Sequence, residues 1–207
     1  MPTGHCPVRV VAPWFRHLTR NPFRGQAEGT GADPSTSARN LLAMKPINWF
    51  VRLEVPADDA AVENLQSVAF GPGRFARTAF RIREGIPHDP ALSFVGLAGD
   101  EVVGSVRLTP IRIGETPAML LGPLTVAPEF KNRGLGKLLL RTALDAASRQ
   151  GETAVLLVGD PPYYGPLGFL PVSFGRITLP GPVDPARLLI ATLNGADVPS
   201  GPVRGGR

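Results

Sequence analysis

The chain has 207 residues, of which 43% are apolar, and its formal net charge is +5 at pH 7. This length fits one domain with some additional chain, and the apolar content suffices for a hydrophobic core, which excludes a wholly disordered protein. No run of 18 apolar residues occurs, so we expect a soluble protein without a membrane partner. The single cysteine, Cys6, excludes a disulfide framework and favours a reducing, cytoplasmic compartment.

The positive charge is concentrated at the N-terminus. Residues 1–43 carry five arginines and two acidic residues, so the remaining chain has a net charge of only +2. A nearly neutral body has no basic stripe that could follow a phosphate backbone, which argues against nucleic-acid binding. The three histidines, His5, His17 and His88, match no zinc-binding spacing, and we expect no metal.

Residues 1–43 show neither the period of 2 nor the period of 3.6 that strands and helices produce. We therefore expect a disordered extension. Three interpretations remain open: a mis-assigned start with translation beginning at Met44, a basic targeting segment, or a flexible arm, of which the first two are favoured. Residues 44–207 are expected to form a single domain.

The body starts with a predicted strand and two predicted helices. Trp49–Val55 alternates in the manner of a strand. A helix follows, with Asp58 or Asp59 as its expected cap, and Gly71-Pro72-Gly73 ends it. A second helix is predicted over Phe75–Glu84. The first helix is expected to pack through Ala61, Leu65, Val68 and Ala69.

The middle of the chain predicts antiparallel strands. Leu92–Ala98 and Glu101–Ile113 flank Gly99-Asp100, which is a hairpin pattern, and Ala118–Val126 predicts the next strand. Pro123 lies within this strand, and because proline offers no N–H donor, the strand is expected to splay from its neighbour there. The freed backbone of residues 124–126 could pair with an extended ligand such as a pantetheine arm, or with solvent at an ordinary bulge.

The pattern then changes to alternating helices and strands. Gly134–Gln150 predicts a helix that Gly151 ends, with Leu135, Leu138, Leu139, Ala143, Ala146 and Ala147 on its apolar stripe. Ala154–Val158 predicts a central strand buried on both faces. A short helix over Pro162–Leu167 and strands near Leu170–Phe174 and Arg187–Leu193 follow. The fold class is therefore α/β, with a mixed, mostly antiparallel sheet of about six to seven strands and helices on both faces.

A glycine-rich turn connects the splayed strand to the long helix. Backbone N–H groups at a helix start lack intrahelical partners and attract a pyrophosphate. Gly134 and Gly136 would let the backbone approach the phosphates, whereas Lys131, Arg133 and Lys137 add positive charge. A plain turn with glycines for tight packing is the alternative. The candidate cofactor-binding residues are Leu124, Thr125, Val126, Lys131, Asn132, Arg133, Gly134, Leu135, Gly136 and Lys137.

The run Lys131-Asn132-Arg133-Gly134-Leu135-Gly136, together with Tyr164 four residues before Gly168-Phe169, resembles the GNAT superfamily of acyl-CoA-dependent N-acetyltransferases. The family's turn reads Q/R-x-x-G-x-G/A, so Lys131 departs from it at the first position. The phrases LGPLTVAP and GDPPYYGPLGF are similar to the YhbS-type branch. The resemblance covers about residues 46–195 and is strongest over residues 118–172.

This resemblance implies a GNAT-like sheet that splays between its fourth and fifth strands, and transfer of an acetyl group from acetyl-CoA to an amine by direct attack in a ternary complex. It implies that Tyr164 is the general acid at the leaving sulfur, although a tyrosine that merely covers the core remains the alternative. Backbone N–H groups near Leu124 or Thr125 would polarise the thioester carbonyl. A regulatory acyl-CoA-binding domain without turnover and a phosphate-binding domain without CoA are the competing interpretations.

The sequence does not identify the general base or the amine acceptor. Glu54, Glu84, His88 and Glu129 are possible general bases, but Glu54, His88 and Glu129 are expected to be surface groups, and none of the four is assigned a catalytic role. The segment Phe70–Phe75 is expected to shape the acceptor site, as the resemblance implies. A small-molecule amine and a protein amine both remain open as acceptors, as do a monomer and a homodimer.

Overall fold

The computed structural model describes residues 49–206. The predictions for residues 1–43 lie outside the described residues. The strands are β1 (Trp49–Leu53), β2 (Phe94–Ala98), β3 (Glu101–Ile113), β4 (Thr116–Val126), β5 (Ala154–Val158), β6 (Leu170–Pro171), β7 (Ile177–Thr178), β8 (Leu188–Thr192) and β9 (Gly201–Gly205). The α-helices are α1 (Asp59–Phe70), α2 (Thr78–Arg83), α3 (Leu135–Gln150) and α4 (Pro161–Tyr164). No helix among the described residues is long and apolar enough to cross a bilayer.

The strands form one mixed sheet in the order β1-β2-β3-β4-β5-β8-β6, with β9 paired to both β3 and β7. Most neighbours are antiparallel, whereas β4–β5 and β7–β9 are parallel. The predicted mixed, mostly antiparallel sheet is therefore confirmed. Nine strands are observed among residues 49–206 instead of the predicted six to seven, because β7 has only two residues and β9 contains two glycines and a proline.

The β4 and β5 strands part at the predicted position. Their pairing is confined to Met119 with Val155 and Leu120 with Leu156, whereas β4 stays paired to β3 as far as Val126. Gly122, with φ of +129°, and Pro123 follow directly after the last β4–β5 pair. Beyond this point, the β4 edge that faces β5 is unpaired among residues 49–206.

Helices cover both faces of the sheet, as predicted. Phe94 packs in the core cluster of α3, and its neighbour Val95 packs against Val62 of α1. Successive strand residues point to opposite faces, so α3 and α1 lie on opposite sides. Within α3 the buried stripe comprises Leu135, Leu139, Leu140, Ala143, Leu144 and Ala147. Leu138, which was predicted to belong to this stripe, is 41% exposed.

The first helix differs from its prediction in face and cap. Its buried residues are Val62 and Gln66, whereas Val68, predicted to be on the packed face, is 63% exposed. Asp58 does not cap the helix with its side chain. Its carboxylate instead accepts hydrogen bonds from the Arg52 guanidinium, 2.6 and 2.9 Å, and from the Val55 N–H.

Two other elements are shorter than predicted. A 3₁₀ turn over Pro72–Ala76 replaces the start of the second helix, so α2 begins only at Thr78. The strand predicted near Leu170–Phe174 is reduced to Leu170–Pro171.

Candidate active site

Tyr164 lies at the end of α4, next to the carboxyl end of β5. A Cβ on Gly159 would overlap the Tyr164 ring, so glycine is what lets the ring lie against the strand end. The ring also packs edge-on against Tyr163 and Phe169, with centroid distances of 4.9 and 5.8 Å. Burial, together with Tyr163 and Asp160, raises the pKa of Tyr164 to about 12. The phenol is therefore protonated, and a donor, throughout the neutral range.

The glycine-rich turn has the backbone that was predicted for it. Asn132 and Gly134 have positive φ, 59° and 97°, and α3 begins at Leu135. The hydrogen bond from the Leu138 N–H to the Gly134 carbonyl, 3.0 Å, follows the first turn. The N–H groups of residues 135–137 precede it and have no intrahelical partner, which leaves them available to an anion.

The two glycines of the turn serve different purposes. Gly134 has open space around it, and its positive φ is what requires glycine. A Cβ on Gly136 would lie 2.5 Å from the Tyr163 hydroxyl, so Gly136 leaves room for that hydroxyl over the start of α3. The sequence pattern did not indicate this contact between Tyr163 and the turn.

The other predicted cofactor residues surround these glycines and the splay. Lys131, Asn132, Arg133 and Lys137 are exposed, whereas Leu135 is buried in the core. Leu124, Thr125 and Val126 pair with β3 on one side and border the gap toward β5 on the other. The Thr125 hydroxyl is buried and hydrogen-bonds Ser105 at 2.7 Å.

A cavity of about 560 Å³ opens between the parted strands and the helices. Tyr164, residues 121–124 of β4 and residues 157–160 at the end of β5 form one wall. The other walls come from Gln66 and Phe70 of α1, residues 74, 76–80 and 83 of the α2 region, and residues 182–184 and 187. A volume of this size accommodates a small molecule or the end of a longer one.

A model of the acetyltransferase (GNAT) family matches residues 60–168. The chain belongs to the GNAT family.

The same region is similar to curated GNAT proteins. The chain is 28% identical over 124 residues to the uncharacterized N-acetyltransferase YhbS of Escherichia coli strain K12. This alignment covers 58% of this chain and 72% of that protein. It is 30% identical over 121 residues to the uncharacterized N-acetyltransferase YjhQ of the same strain, covering 56% and 67%.

Solved GNAT structures share the fold. Escherichia coli YhbS in complex with CoA superimposes with a TM-score of 0.64 at 23% identity, covering 79% of this chain and 93% of that one. A Brucella melitensis GNAT acetyltransferase in complex with acetyl-CoA superimposes with a TM-score of 0.58 at 24% identity. The superposition covers 77% of this chain and 97% of that one.

Four arginines line the GNAT cavity, and three of them are engaged. Arg74 binds Glu63 and the Gly71 carbonyl, Arg187 pairs with Asp160 at 3.2 Å, and Arg77 stacks over the Phe70 ring at 5.1 Å. Arg83 donates from Nε to the Ala79 carbonyl, 2.9 Å, but its Nη1 is buried without a partner. Burial and nearby Arg107 lower the pKa of Arg83 to about 10.

Glu54 is not the surface charge that was predicted, because its side chain is only 2% exposed. The Nε of Arg107 donates to both carboxylate oxygens of Glu54 at 3.0 Å, and its Nη2 donates to Asp59 at 2.8 Å. His88, also predicted to be a surface group, is half-buried with its Nε2 3.7 Å from Glu54. Burial and Arg107 lower the pKa of His88, against the opposite effect of Glu54, Asp59 and Asp89.

This cluster has the residue types of a metal site, and the ligand atoms of Glu54, Asp59 and His88 lie within 4.8 Å of one another. The Arg107 guanidinium already bridges the two carboxylates, so a cation would have to displace it. We therefore interpret the cluster as an ion-pair network that ties β1 and the start of α1 to β3.

None of the four possible bases considered from the sequence lines the cavity. Glu129 is exposed, as expected, Glu84 is exposed too, and Glu54 and His88 belong to the ion-pair network. The carboxylates on the cavity wall are instead Asp160 and Asp184. Asp160 follows β5 after Gly159, and its backbone carbonyl accepts a hydrogen bond from the Tyr164 N–H, 3.2 Å. Because Asp160 is only four residues before Tyr164, its closeness to the predicted acid could have been inferred from the sequence.

Proposed function

We propose that the protein transfers an acetyl group from acetyl-CoA to an amine, with both substrates bound together and Tyr164 as the general acid. The observation that carries this proposal is that Tyr164 and the unpaired edge of β4 border the same cavity. The family assignment and the complexes of related proteins with CoA and acetyl-CoA support the choice of cofactor.

Acetyl-CoA binds, in this proposal, along the turn and the splay. Its pyrophosphate accepts hydrogen bonds from the backbone of residues 131–137, where the exposed Lys131, Arg133 and Lys137 add attraction. Its pantetheine amides pair with the free edge of Leu124, Thr125 and Val126, much as an added strand would. The thioester then reaches the cavity beside Tyr164.

The reaction forms a C–N bond and breaks the C–S bond. The amine must be neutral to attack, which costs roughly 4–5 kcal/mol near pH 7 for an amine of ordinary pKa. Its proton leaves through water or to a carboxylate such as Asp160. The Tyr164 phenol donates a hydrogen bond to the leaving sulfur, and because its pKa is about 12, this bond exists at every working pH. Alignment of the two substrates supplies most of the acceleration, up to about 7–11 kcal/mol.

Three further parts belong to this proposal. Residues 44–207 act as one catalytic domain, the reaction takes place in the cytoplasm, and no metal takes part. A small-molecule amine fits the size of the cavity, and a protein amine fits if only its side chain enters. A regulatory domain that binds acyl-CoA without turnover is the competing function, because a glutamate or histidine base is absent from the described cavity wall.

The test compares the melting temperature of the full chain with acetyl-CoA and with acetyl-pantetheine, which lacks the pyrophosphate. Acetyl-CoA at 100 times its Kd should stabilise the fold by about 2.7 kcal/mol, and acetyl-pantetheine at the same concentration should do far less. Gly136→Val should remove the difference, because its side chain covers the start of α3. Arg141→Gln, on the exposed side of the same helix, is the control and should keep it.

Release of free CoA with an amine panel then separates the two functions. Turnover supports the transferase, whereas binding without turnover of any amine supports the regulatory domain. Equal effects of the two ligands, or no effect of either, would rule out the proposed cofactor site.

A further inference from the structure

Two buried side-chain donors in the cavity lack a partner. Among residues 49–206, the buried side-chain nitrogen and oxygen atoms without a hydrogen bond are Gln66 Nε2 and Arg83 Nη1. Both residues line the same cavity. Leaving a buried donor unpaired is unfavourable, and an unpaired buried donor in a native protein calls for an explanation, such as a water, an ion or a ligand that binds there.

The position of Arg83 is fixed by its own helix. Its Nε donates to the Ala79 carbonyl one turn earlier, which directs the end of the guanidinium away from α2. Its Nη1 lies 3.6 Å from the place that a Cβ on Gly122 would occupy. The unpaired end of Arg83 is therefore at the splay of β4, two residues before Leu124.

Among residues 49–206, Arg83 forms no salt bridge with a carboxylate, although Asp160 and Asp184 line the same cavity. The other guanidinia on the wall bind Glu63, bind Asp160 or stack on a ring, and nearby Arg107 is a like charge. The lowered pKa of Arg83, about 10, reflects burial without a carboxylate. An incoming anion would reverse this effect.

We propose that Arg83 and Gln66 bind a carboxylate group of a substrate in this cavity. Arg83 offers a positive charge and Gln66 a neutral N–H, and a carboxylate offers two oxygens that accept from both. An alkyl chain would leave both donors unpaired, and a neutral amine could accept from one of them but would not neutralise the charge of Arg83. This inference rests on the proposed function and narrows it, because it states what one of the two substrates carries besides its reacting group.

Two substrates enter the cavity, and either can bring the carboxylate. One source is an amine acceptor that is also an acid, and the other is an acyl group with a terminal carboxylate. The first predicts a preference among amines with acetyl-CoA as donor, whereas the second predicts a preference for succinyl-CoA over acetyl-CoA.

The experiment measures kcat/KM with matched pairs in the full chain. The acceptor arm compares 4-aminobutanoate with 4-aminobutanamide, and alanine with alaninamide, at a pH where every amine is assayed at equal neutral concentration. The donor arm compares succinyl-CoA with acetyl-CoA. We expect the carboxylate-bearing member of one arm to be favoured at least tenfold, and Arg83→Met to reduce that ratio to about one.

Two variants control for folding. Arg81→Met lies on the exposed side of the same helix and should keep the preference. Arg83→Lys keeps the positive charge but lacks the two-pronged guanidinium group, and it should retain part of the carboxylate preference. Arg83→Met should melt no lower than Arg81→Met, because it removes an unpaired buried charge.

Several outcomes would overturn the proposal. These are a preference that survives Arg83→Met, a melting temperature of Arg83→Met well below that of Arg81→Met, or no carboxylate preference in either arm. If acetyl-CoA still stabilises the chain in that last case, the proposed cofactor site stands and only the carboxylate site is rejected.

Discussion

At the scale of single residues, the environment of Tyr164 determines what its phenol can do. With a pKa of about 12, the Tyr164 phenol would act as the proposed general acid through its hydrogen bond to the leaving sulfur. A thiolate of ordinary pKa is too weak a base to keep the phenolic proton, so it would leave stabilised by this bond and take its proton from solvent. The phenol loses its proton only at a pH far above the working range. The rate is therefore expected to show no loss from tyrosine ionisation as the pH rises to about 10.

Tyr164→Phe tests this role directly. It removes the donor but keeps the ring that packs on Gly159 and Phe169, so the fold and the Kd for acetyl-CoA should be unchanged. We expect kcat to fall by about 10². Steady-state kinetics with a reactive amine, together with a melting curve, checks both points, and an unchanged kcat would contradict the role of general acid.

Glu54 and His88 were identified from the sequence as possible general bases, but their burial was not predicted. Each was predicted to be a surface group because a single charged residue usually is. The burial of Glu54 depends on Arg107, which lies 53 residues later in the sequence. The spacing of residues within one strand or helix does not indicate a partner so distant in the sequence. The ion-pair network is therefore visible only in the folded structure.

At the scale of elements, the position of Tyr164 depends on a single missing side chain. Gly159 directly follows β5, and any Cβ there would overlap the ring that α4 places against it. The strand end and the short helix are therefore coupled through this contact, and the phenol moves if the contact changes.

Gly159→Ala should consequently displace Tyr164. The expected cost is about 1–3 kcal/mol of stability, as for other overpacked sites, together with a loss of kcat. Gly165→Ala is the matched control, because it lies in the same segment with open space around it and should change neither quantity. Equal melting temperatures and equal rates for the two variants would show that the ring is not held by this contact.

Elements built from local patterns were predicted well. The hairpin of β2 and β3, the splay at Pro123, the glycine turn and α3 all follow from residues within about 20 positions of one another. The face of α1 was mispredicted, because Gln66 shares the buried side with Val62 and polar residues were not considered for that face. Gln66 and Arg83 were missed as site residues for the same reason.

At the scale of the whole molecule, strand β9 supports the side of the cavity formed by α2. β9 pairs with Ile111–Ile113 of β3 and contacts α2, the helix that carries Arg83. A Cβ on Gly205 would overlap the Ile82 carbonyl and the Ile86 side chain. The end of the chain thus sets how closely α2 lies to the sheet.

Gly205→Ala should act at a distance. We expect it to push α2 outward, to cost about 1–3 kcal/mol of stability and to raise the KM for the amine more than the KM for acetyl-CoA. Arg204→Ala, an exposed residue of the same strand, is the control. Equal changes in the two KM values would argue that β9 affects the whole fold rather than one wall.

The cavity draws its two sides from separate parts of the chain. Residues 121–124, 157–160 and 164 border it on the side of the turn, whereas residues 66–83 and 182–187 border it on the other. Under the proposed function, substitutions in the second group would alter the contacts with the reacting ends of the substrates without touching the turn proposed for the pyrophosphate. Related chains could therefore diverge in substrate while sharing that proposed cofactor site, and differences in α1, α2 and the segment before β8 would report the divergence.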